Sequence, residues 1–249
     1  MKIALIGYGQ MGQLIHQFAQ RRGHEVLTII DPKHSSATDS KITPEALLGV
    51  NVAFDFSHPG VVLDNLRYFL SLKNAPNLLV GTTGWYTHLG EIERSVARAN
   101  IGFLWSSNFS IGVNLYFEIV KKAAKLINKY NEYDIWGTEL HHAQKADSPS
   151  GTAKILEEIL LQNIERKTKV VDNRLDRKIE PYEIHFSSTR GGAVNFSHTI
   201  GLDSEADTIT LTHAARNRDG YALGAVQAAE WLVGKCGFFK MEDFLGFEI

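Results

Sequence analysis

A single cysteine, Cys236, stands in a chain of 249 residues. An intrachain disulfide is therefore excluded, and a reducing compartment suits the chain. Cys236 is a poor candidate nucleophile. It lies near the C-terminus in Gly234-Lys235-Cys236-Gly237, where a plain packed or surface thiol is the simpler reading. No apolar run approaches the ~20 residues that a membrane-spanning helix needs. The opening Met1-Lys2-Ile3-Ala4-Leu5-Ile6-Gly7 is too short an apolar stretch for a secretory signal and carries no cleavage pattern, so it is expected as a buried strand of a cytoplasmic protein. An excess of charge is also missing. The formal net charge of -2 gives no reason to expect nucleic acid or an acidic membrane as partner. Neither low-complexity segments nor internal repeats occur. The 44% hydrophobic and 22% charged residues that remain are ordinary for a soluble chain, long enough for one large domain or two modest ones.

The first hundred residues alternate short apolar strands with helical stretches. Strands are predicted at 3–6, 26–30, 50–56, 78–80 and 101–104, and helices at 10–22, 61–72 and 91–99. Near-continuous apolar strands separated by helices indicate an α/β unit with a parallel sheet covered on both faces. The texture then changes. A long amphipathic helix is expected at 113–130, a strand at 134–142, a helix at 152–163, and strands at 183–188, 193–200 and 208–213. Arg190-Gly191-Gly192 and Gly201-Leu202-Asp203-Ser204 read as turns. This is an α+β unit with a mostly antiparallel sheet. A last helix at 221–233, closed by Gly234, can return to the first unit. The expected division is 1–110 with 219–249 against 111–218.

Gly7-Tyr8-Gly9-Gln10-Met11-Gly12 is G-x-G-x-x-G, placed directly after a strand and opening a helix. Glycines there permit the tight turn and let backbone N–H groups approach a pyrophosphate, whose charge then faces a helix N-terminus. Asp31 ends the second strand and would accept hydrogen bonds from ribose hydroxyls. The alternative is a glycine turn followed by an acidic turn residue, but the full strand–loop–helix–strand–acid context favours a Rossmann-type dinucleotide site. Asp31 argues for NAD by repelling a 2′-phosphate. Lys33 can be read as neutralising that phosphate or as a solvated turn lysine.

The second informative stretch runs Glu139-Leu140-His141-His142-Ala143-Gln144-Lys145-Ala146-Asp147-Ser148-Pro149-Ser150-Gly151-Thr152-Ala153. On a strand, His141 and His142 point to opposite faces and cannot share one role. Ser148 to Thr152 form a turn into a helix, whose free N–H groups and Thr152 hydroxyl would hold a carboxylate. A lysine, a histidine and an anion-binding helix end suit an anionic substrate that needs a proton. Taken singly, His141 reads as a hydrogen-bonded strand histidine and Lys145 as a solvated loop lysine. A metal site from Glu139, His141 and Asp147 is conceivable, but the spacing matches no zinc pattern, and no metal is expected.

These residues resemble the E-x-H-H-x-x-K-x-D-x-P-S-G-T-A signature of the 4-hydroxy-tetrahydrodipicolinate (dihydrodipicolinate) reductase family of lysine and diaminopimelate biosynthesis. The resemblance spans essentially the whole chain. Asp55-Phe56-Ser57-His58-Pro59 resembles the family's D-F-S-x-P strand end. Gly81-Thr82-Thr83-Gly84 resembles its G-T-T-G loop, and Asn108 to Val113 its N-F-S-x-G-V segment. Arg190-Gly191-Gly192 and Ala225 to Leu232 also fit. The sequence departs from the family at Ser106-Ser107, where Ala-Pro is common. It departs again at Phe196, a bulky residue where a glycine usually precedes a histidine by two, which bears on sheet packing there.

The resemblance implies an NADH- or NADPH-dependent oxidoreductase acting on a cyclic dicarboxylate that loses water to become a conjugated imine. Lys145 then matches the proton donor and His141 an acid/base. His142 matches a substrate contact, and Gly151 and Thr152 the carboxylate-holding N–H groups. Gly81, Thr82 and Thr83, with Ser106, Ser107, Asn108 and Phe109 at the interdomain hinge, would lie near the nicotinamide, and domain closure would complete the site. A homotetramer built through the second sheet is also implied. Two rivals are weaker. A semialdehyde-type dehydrogenase needs a mid-chain nucleophilic cysteine, and homoserine-type enzymes lack the His-His-x-x-Lys run. A non-enzymatic nicotinamide-binding module would need no proton donor.

Overall fold

The computed structural model describes residues 1–247, which divide into two compact units: Met1–Ile111 together with the chain from Asp219 onward, and Gly112–Arg218. In the first unit, β1 (Lys2–Ile6), β2 (Glu25–Ile30), β3 (Val52–Asp55), β4 (Asn77–Val80), β5 (Gly102–Trp105) and a late β11 (Gly237–Phe239) form one sheet in the order β11-β5-β4-β3-β1-β2. Every pairing in it is parallel. Its central strands are buried along their length because helices cover both faces. On one side, α2 (Val62–Ser71) and α3 (Leu89–Ala99) pack Val62, Leu66, Phe69, Ile92 and Val96 against Ala4, Ala53, Leu78 and Phe103. On the other, α1 (Gln10–Arg21) and α6 (Asp219–Leu232) pack Ile15, Ala19, Ala222, Val226 and Ala229 against Ile3, Leu5, Phe54 and Leu79. The alanine-rich face of α6 suits close approach. At Gly224 a Cβ would stand 1.9 Å from the carbonyl oxygen of Phe109.

The strand order reverses at β1, with β2 on one side of it and β3 on the other. Such a switch opens a crevice beyond the carboxyl ends of the strands. Gly7, Asp31 and Phe56-Ser57 follow β1, β2 and β3 at that edge.

The second unit carries α4, which begins at Ile111 and runs to Ile127, β6 (Asp134–His141), α5 (Gly151–Asn163), β7 (Lys169–Val171), β8 (Glu183–Arg190), β9 (Phe196–Asp203) and β10 (Thr208–Ala215). Its core joins Tyr116, Val120 and Ala124 of α4 and Leu156 and Leu160 of α5 to Ile135, Ile184, Phe186 and Ile200 of the sheet. The sheet order is β10-β9-β6-β8-β7.

The expectation of a mostly antiparallel sheet holds for its two longest ladders and is refined for the rest. β10·β9 and β9·β6 are antiparallel, but β6·β8 and β8·β7 are parallel. The segments after β6 and after β7 each carry the chain back along the sheet before the next strand begins, which parallel pairing requires. The expected turn at Gly201–Ser204 is corrected, because β9 runs through Gly201 to Asp203. Gly201 pairs with Trp136, and a Cβ there would stand 2.1 Å from the indole, so the glycine serves packing rather than a turn. A strand expected from 193 starts at Phe196, after Gly192 with φ +57°. The short elements β7, β11, the 3-10 turn Tyr86–His88 and α7 (Met241–Leu245) carry too little periodic pattern to be read in advance.

Candidate active site

The glycine loop after β1 divides its labour. Gly7 has φ +88°, and a Cβ on it would lie 2.5 Å from the carbonyl oxygen of Phe56. Gly12 lies against the same turn, where a Cβ would stand 2.3 Å from the carbonyl oxygen of Gly7. These two glycines are needed by the fold. Gly9, the residue preceding α1, faces open space, with no atom within 4 Å of a Cβ built there. Gln10 is exposed at the helix start and Met11 packs against the core.

Asp31 closes the loop from the far side. Its Oδ2 accepts the Tyr8 N–H at 2.8 Å, and Oδ1 accepts the N–H groups of Lys33 and His34 at 2.8 and 3.1 Å. Partial burial works to raise its pKa. The three N–H donors outweigh burial and hold it below its ordinary value. A cleft of about 900 Å³ opens beside Gly7, Gly9 and Asp31, with Lys33, Lys41, Ser57 and His58 also on its wall. That size and the open approach to Gly9 fit a dinucleotide, whose ribose Asp31 could hold and whose phosphate charge Lys33 and Lys41 could meet.

A residue whose role the sequence did not disclose sits beneath this edge. Asp55 is buried at the end of β3. It accepts the Ser57 N–H and O–H at 3.0 and 2.7 Å, the Thr82 hydroxyl at 2.9 Å and the Asn65 amide at 3.1 Å. It thereby ties the loop after β3 to the loop after β4. Gly81 is required there, since a Cβ would stand 2.2 Å from the Phe56 ring. Thr83 is exposed. After β5, Ser106 and Asn108 brace a turn through two bonds of 2.8 and 3.0 Å. Asn108 and Phe109 are buried and Ser107 is exposed, so Ser107 is the member of that group with the most open side chain.

In the second unit, the end of β6 meets the start of α5 around Glu139. Its Oε1 accepts the Ser150 N–H at 3.0 Å, the Ser188 hydroxyl at 2.8 Å and the Arg190 guanidinium at 2.8 Å. Its Oε2 lies 3.2 Å from Nε2 of His198 and 3.2 Å from Nε2 of His141. Burial alone would raise this carboxyl. The donors from His198, Ser150, Arg190 and Ser188 hold it well below the carboxylate range. Ser150 also caps α5, accepting the Ala153 N–H at 3.1 Å. Helical geometry leaves the N–H groups of Gly151 and Thr152 without intrahelical partners, and the space in front of Gly151 is open.

His141 is buried, its ring stacked on Phe196 at 5.7 Å between centroids. Burial pushes its pKa down to about 4. Glu139 opposes that shift, while His198, Lys145 and Arg190 reinforce it. Phe196 is accommodated directly opposite His141 in the β6·β9 register, and it also stacks on His213. His142 is half-buried at the strand end. Lys145 sits on the loop before α5, its ammonium 2.6 Å from Asp147, and Arg190 donates to the Asp147 carbonyl oxygen at 2.6 Å. Asp147, considered with Glu139 and His141 as a metal ligand set, is exposed and pairs with Lys145 instead. Ser188, Arg190 and His198 are neighbours of Glu139 that sequence reasoning did not assign.

One unit offers a cleft of nucleotide size, and the other an open helix N-terminus, beside a histidine and a lysine, that could hold an anion. The class so defined is a two-domain, pyridine-nucleotide-dependent oxidoreductase. The family model for the dihydrodipicolinate reductase N-terminus matches residues 1–109, and that for the C-terminus matches residues 112–245. The chain is 37% identical over 247 residues to the 4-hydroxy-tetrahydrodipicolinate reductase of Christiangramia forsetii, covering 98% of each chain. It is 34% identical to that of Staphylococcus aureus strain Newman, covering 98% of this chain and 100% of the relative. The chain belongs to the dihydrodipicolinate reductase family. Its fold matches a dipicolinate-bound dihydrodipicolinate reductase from Paenisporosarcina sp. TG-14 with a TM-score of 0.77 at 20% identity, over 98% of both chains. A probable dehydrogenase from Thermotoga maritima matches at 0.55 and 10% identity, over 98% of this chain and 92% of the other.

The glycine loop predicts a contrast. Gly9→Ala should keep the melting temperature of the native chain and lose NADH affinity. Gly12→Ala should lose stability by about 1–3 kcal/mol, because backbone must move. Thermal melts and NADH fluorescence titrations check both, and equal melting losses would contradict the division.

Glu157 on α5 supplies a pH test. Its Oε1 is buried without a hydrogen-bond partner, and burial, then Asp172 and Glu139, push its pKa from 4.5 up to about 7. Between those values the folded chain binds more protons here than the unfolded one, so stability falls as pH rises through that window. Glu157→Gln should stabilise by about 1–3 kcal/mol above pH 7, the gain shrinking towards pH 4.5. Urea unfolding across that range measures it, and a gain independent of pH would contradict the assignment.

Proposed function

We propose that this chain is a 4-hydroxy-tetrahydrodipicolinate reductase of lysine and diaminopimelate biosynthesis, taking a dehydrated cyclic dicarboxylate to tetrahydrodipicolinate. The observation that carries the reading is the run from Glu139 to Thr152, which sets a buried histidine and a lysine beside an open helix N-terminus within a chain of this family. The dipicolinate bound by the solved relative is itself a ring dicarboxylate, in keeping with that substrate class. When bound, the reduced nicotinamide supplies hydride to the conjugated ring.

Gly7, Gly9 and the start of α1 hold the pyrophosphate, and Asp31 the ribose. Gly81, Thr82, Thr83, Ser106 and Ser107 line the approach to the nicotinamide at the carboxyl ends of β4 and β5. Asp31 favours NADH, and Lys33 and Lys41 admit NADPH. The N–H groups of Gly151 and Thr152 hold one substrate carboxylate, with His142 as a further contact. Lys145 delivers the proton that the reduced ring requires. His141, with its pKa at about 4, is a neutral imidazole at physiological pH, so it serves as a hydrogen-bonding acceptor or donor while the lysine carries the charge.

Lys145→Ala should lower kcat by ~10²–10⁴, the usual scale for losing a general acid, with NADH affinity nearly unchanged. Steady-state oxidation of NADH and NADPH, with substrate generated by the preceding synthase, reads the first, and fluorescence titration reads the second. Turnover near that of the native chain would overturn the proton-donor role.

The protein acts in the cytoplasm as a homotetramer. The second sheet ends on β10, an edge strand exposed along much of its length, and Trp136 and Ile209 add exposed apolar surface to this sheet. Such an edge is normally paired or covered. Light scattering should give four chains per particle, and a stable monomer would contradict that assembly.

A further inference from the structure

Three ligand-type atoms converge beneath the end of β6. Oε2 of Glu139 lies 3.2 Å from Nε2 of His141 and 3.2 Å from Nε2 of His198, and one such atom from each residue lies within 4.8 Å of the other two. The three residues are 1%, 6% and 1% exposed. The approach of His141 to Glu139 is off the hydrogen-bonding direction, and its Nε2 has no hydrogen-bond partner. A buried ring nitrogen left so carries a desolvation cost that coordination to a Lewis acid would offset.

The spacing suits a small first-row divalent ion such as zinc. Zinc binds imidazole nitrogen at ~2.0–2.1 Å and carboxylate oxygen at ~2.0–2.2 Å, which at a tetrahedral angle sets ligand atoms ~3.3–3.4 Å apart. Two imidazoles and a carboxylate are also its preferred donors outside thiolates, and three ligands leave a fourth position open. The carboxylate is already oriented for the task. Ser150, Ser188 and Arg190 fix Oε1, leaving Oε2 to face the rings, as outer partners do around metal-bound carboxylates. Ser150 Oγ stands 3.2 Å from Nε2 of His198. The charges of Arg190 and Lys145 oppose a dication, so the site binds moderately rather than as a permanent structural centre.

We propose that Glu139, His141 and His198 form an inhibitory site for zinc-class divalent ions. A bound ion takes Nε2 of His141 and withdraws that ring from the reaction. Inhibition rests on the role given to His141 above, whereas binding does not.

The test uses the full-length chain after chelator treatment, titrated with Zn²⁺ by calorimetry and with Co²⁺ by visible absorption. One ion per chain is expected, with the intense Co²⁺ bands of four-coordinate geometry. His198→Gln and Glu139→Gln should each weaken Zn²⁺ binding by more than the ~10–100-fold that losing an outer-shell partner costs. Circular dichroism confirms that each variant folds. His141→Gln, which keeps a polar side chain on the strand, supplies the same test should either fail to fold. No saturable binding, or unchanged affinity in the folded variants, would overturn the site. Turnover should fall as Zn²⁺ fills the site and recover with chelator. Binding with the expected variant pattern but undiminished turnover would overturn the inhibition and the role of His141, and leave the site standing.

Discussion

The second unit depends on one buried carboxylate. Glu139 accepts donors from the α5 cap and from two positions of β8, and faces rings on β6 and β9. Placing a charge there costs several kcal/mol in lost hydration. Charge-assisted hydrogen bonds at about 1.5–3 kcal/mol each offset it only when several act together. The cost therefore ties the end of β6, the start of α5 and the end of β8 into one arrangement. If any donor leaves, the charge is underpaired. The N-terminus of α5 and the end of β6 are held in register by this requirement.

The first unit uses the same device with a different electrostatic outcome. Asp55 is as buried as Glu139 and accepts four donors, yet burial raises its pKa while that of Glu139 is lowered. The difference lies in the donors. Those of Asp55 are two hydroxyls, a backbone N–H and an amide, all neutral. Glu139 has a guanidinium among its partners, and two rings close to Oε2. Neutral dipoles position a loop well enough, whereas Glu139 is held ionised by hydrogen bonds from His198 and Ser150 together with the Arg190 cation.

Much of this was legible in the sequence because it is local. The strand–glycine–helix–acid pattern of residues 3 to 31 is set by backbone geometry within one stretch of chain. The run from Glu139 to Thr152 likewise places strand end, loop lysine and helix cap by adjacency alone. What escaped is what distant segments supply. His198 reaches Glu139 from β9, Arg190 from β8, and Thr82 reaches Asp55 across a strand. None of these contacts leaves a periodic or spacing signal. Gly201 misled for a related reason. A glycine reads as a turn until the indole of Trp136, 65 positions earlier in the chain, is seen to occupy the space of its side chain. Phe196 resolves in the same way, its ring lying between His141 and His213 on neighbouring strands.

His141 at the end of β6 and Lys145 just beyond it sit in contrasting surroundings. An imidazole with a pKa near 6.5 would be partly charged at physiological pH. Burial beside Phe196, with two cations in the vicinity, removes that ambiguity and leaves a neutral ring. Such a ring carries no positive charge to offer an anion. Lys145 lies on the loop beyond the strand, held by Asp147 at 2.6 Å. The neutral ring is thus inside the sheet, and the cation is on the loop beyond it. The boundary between β6 and the following loop is what separates the two.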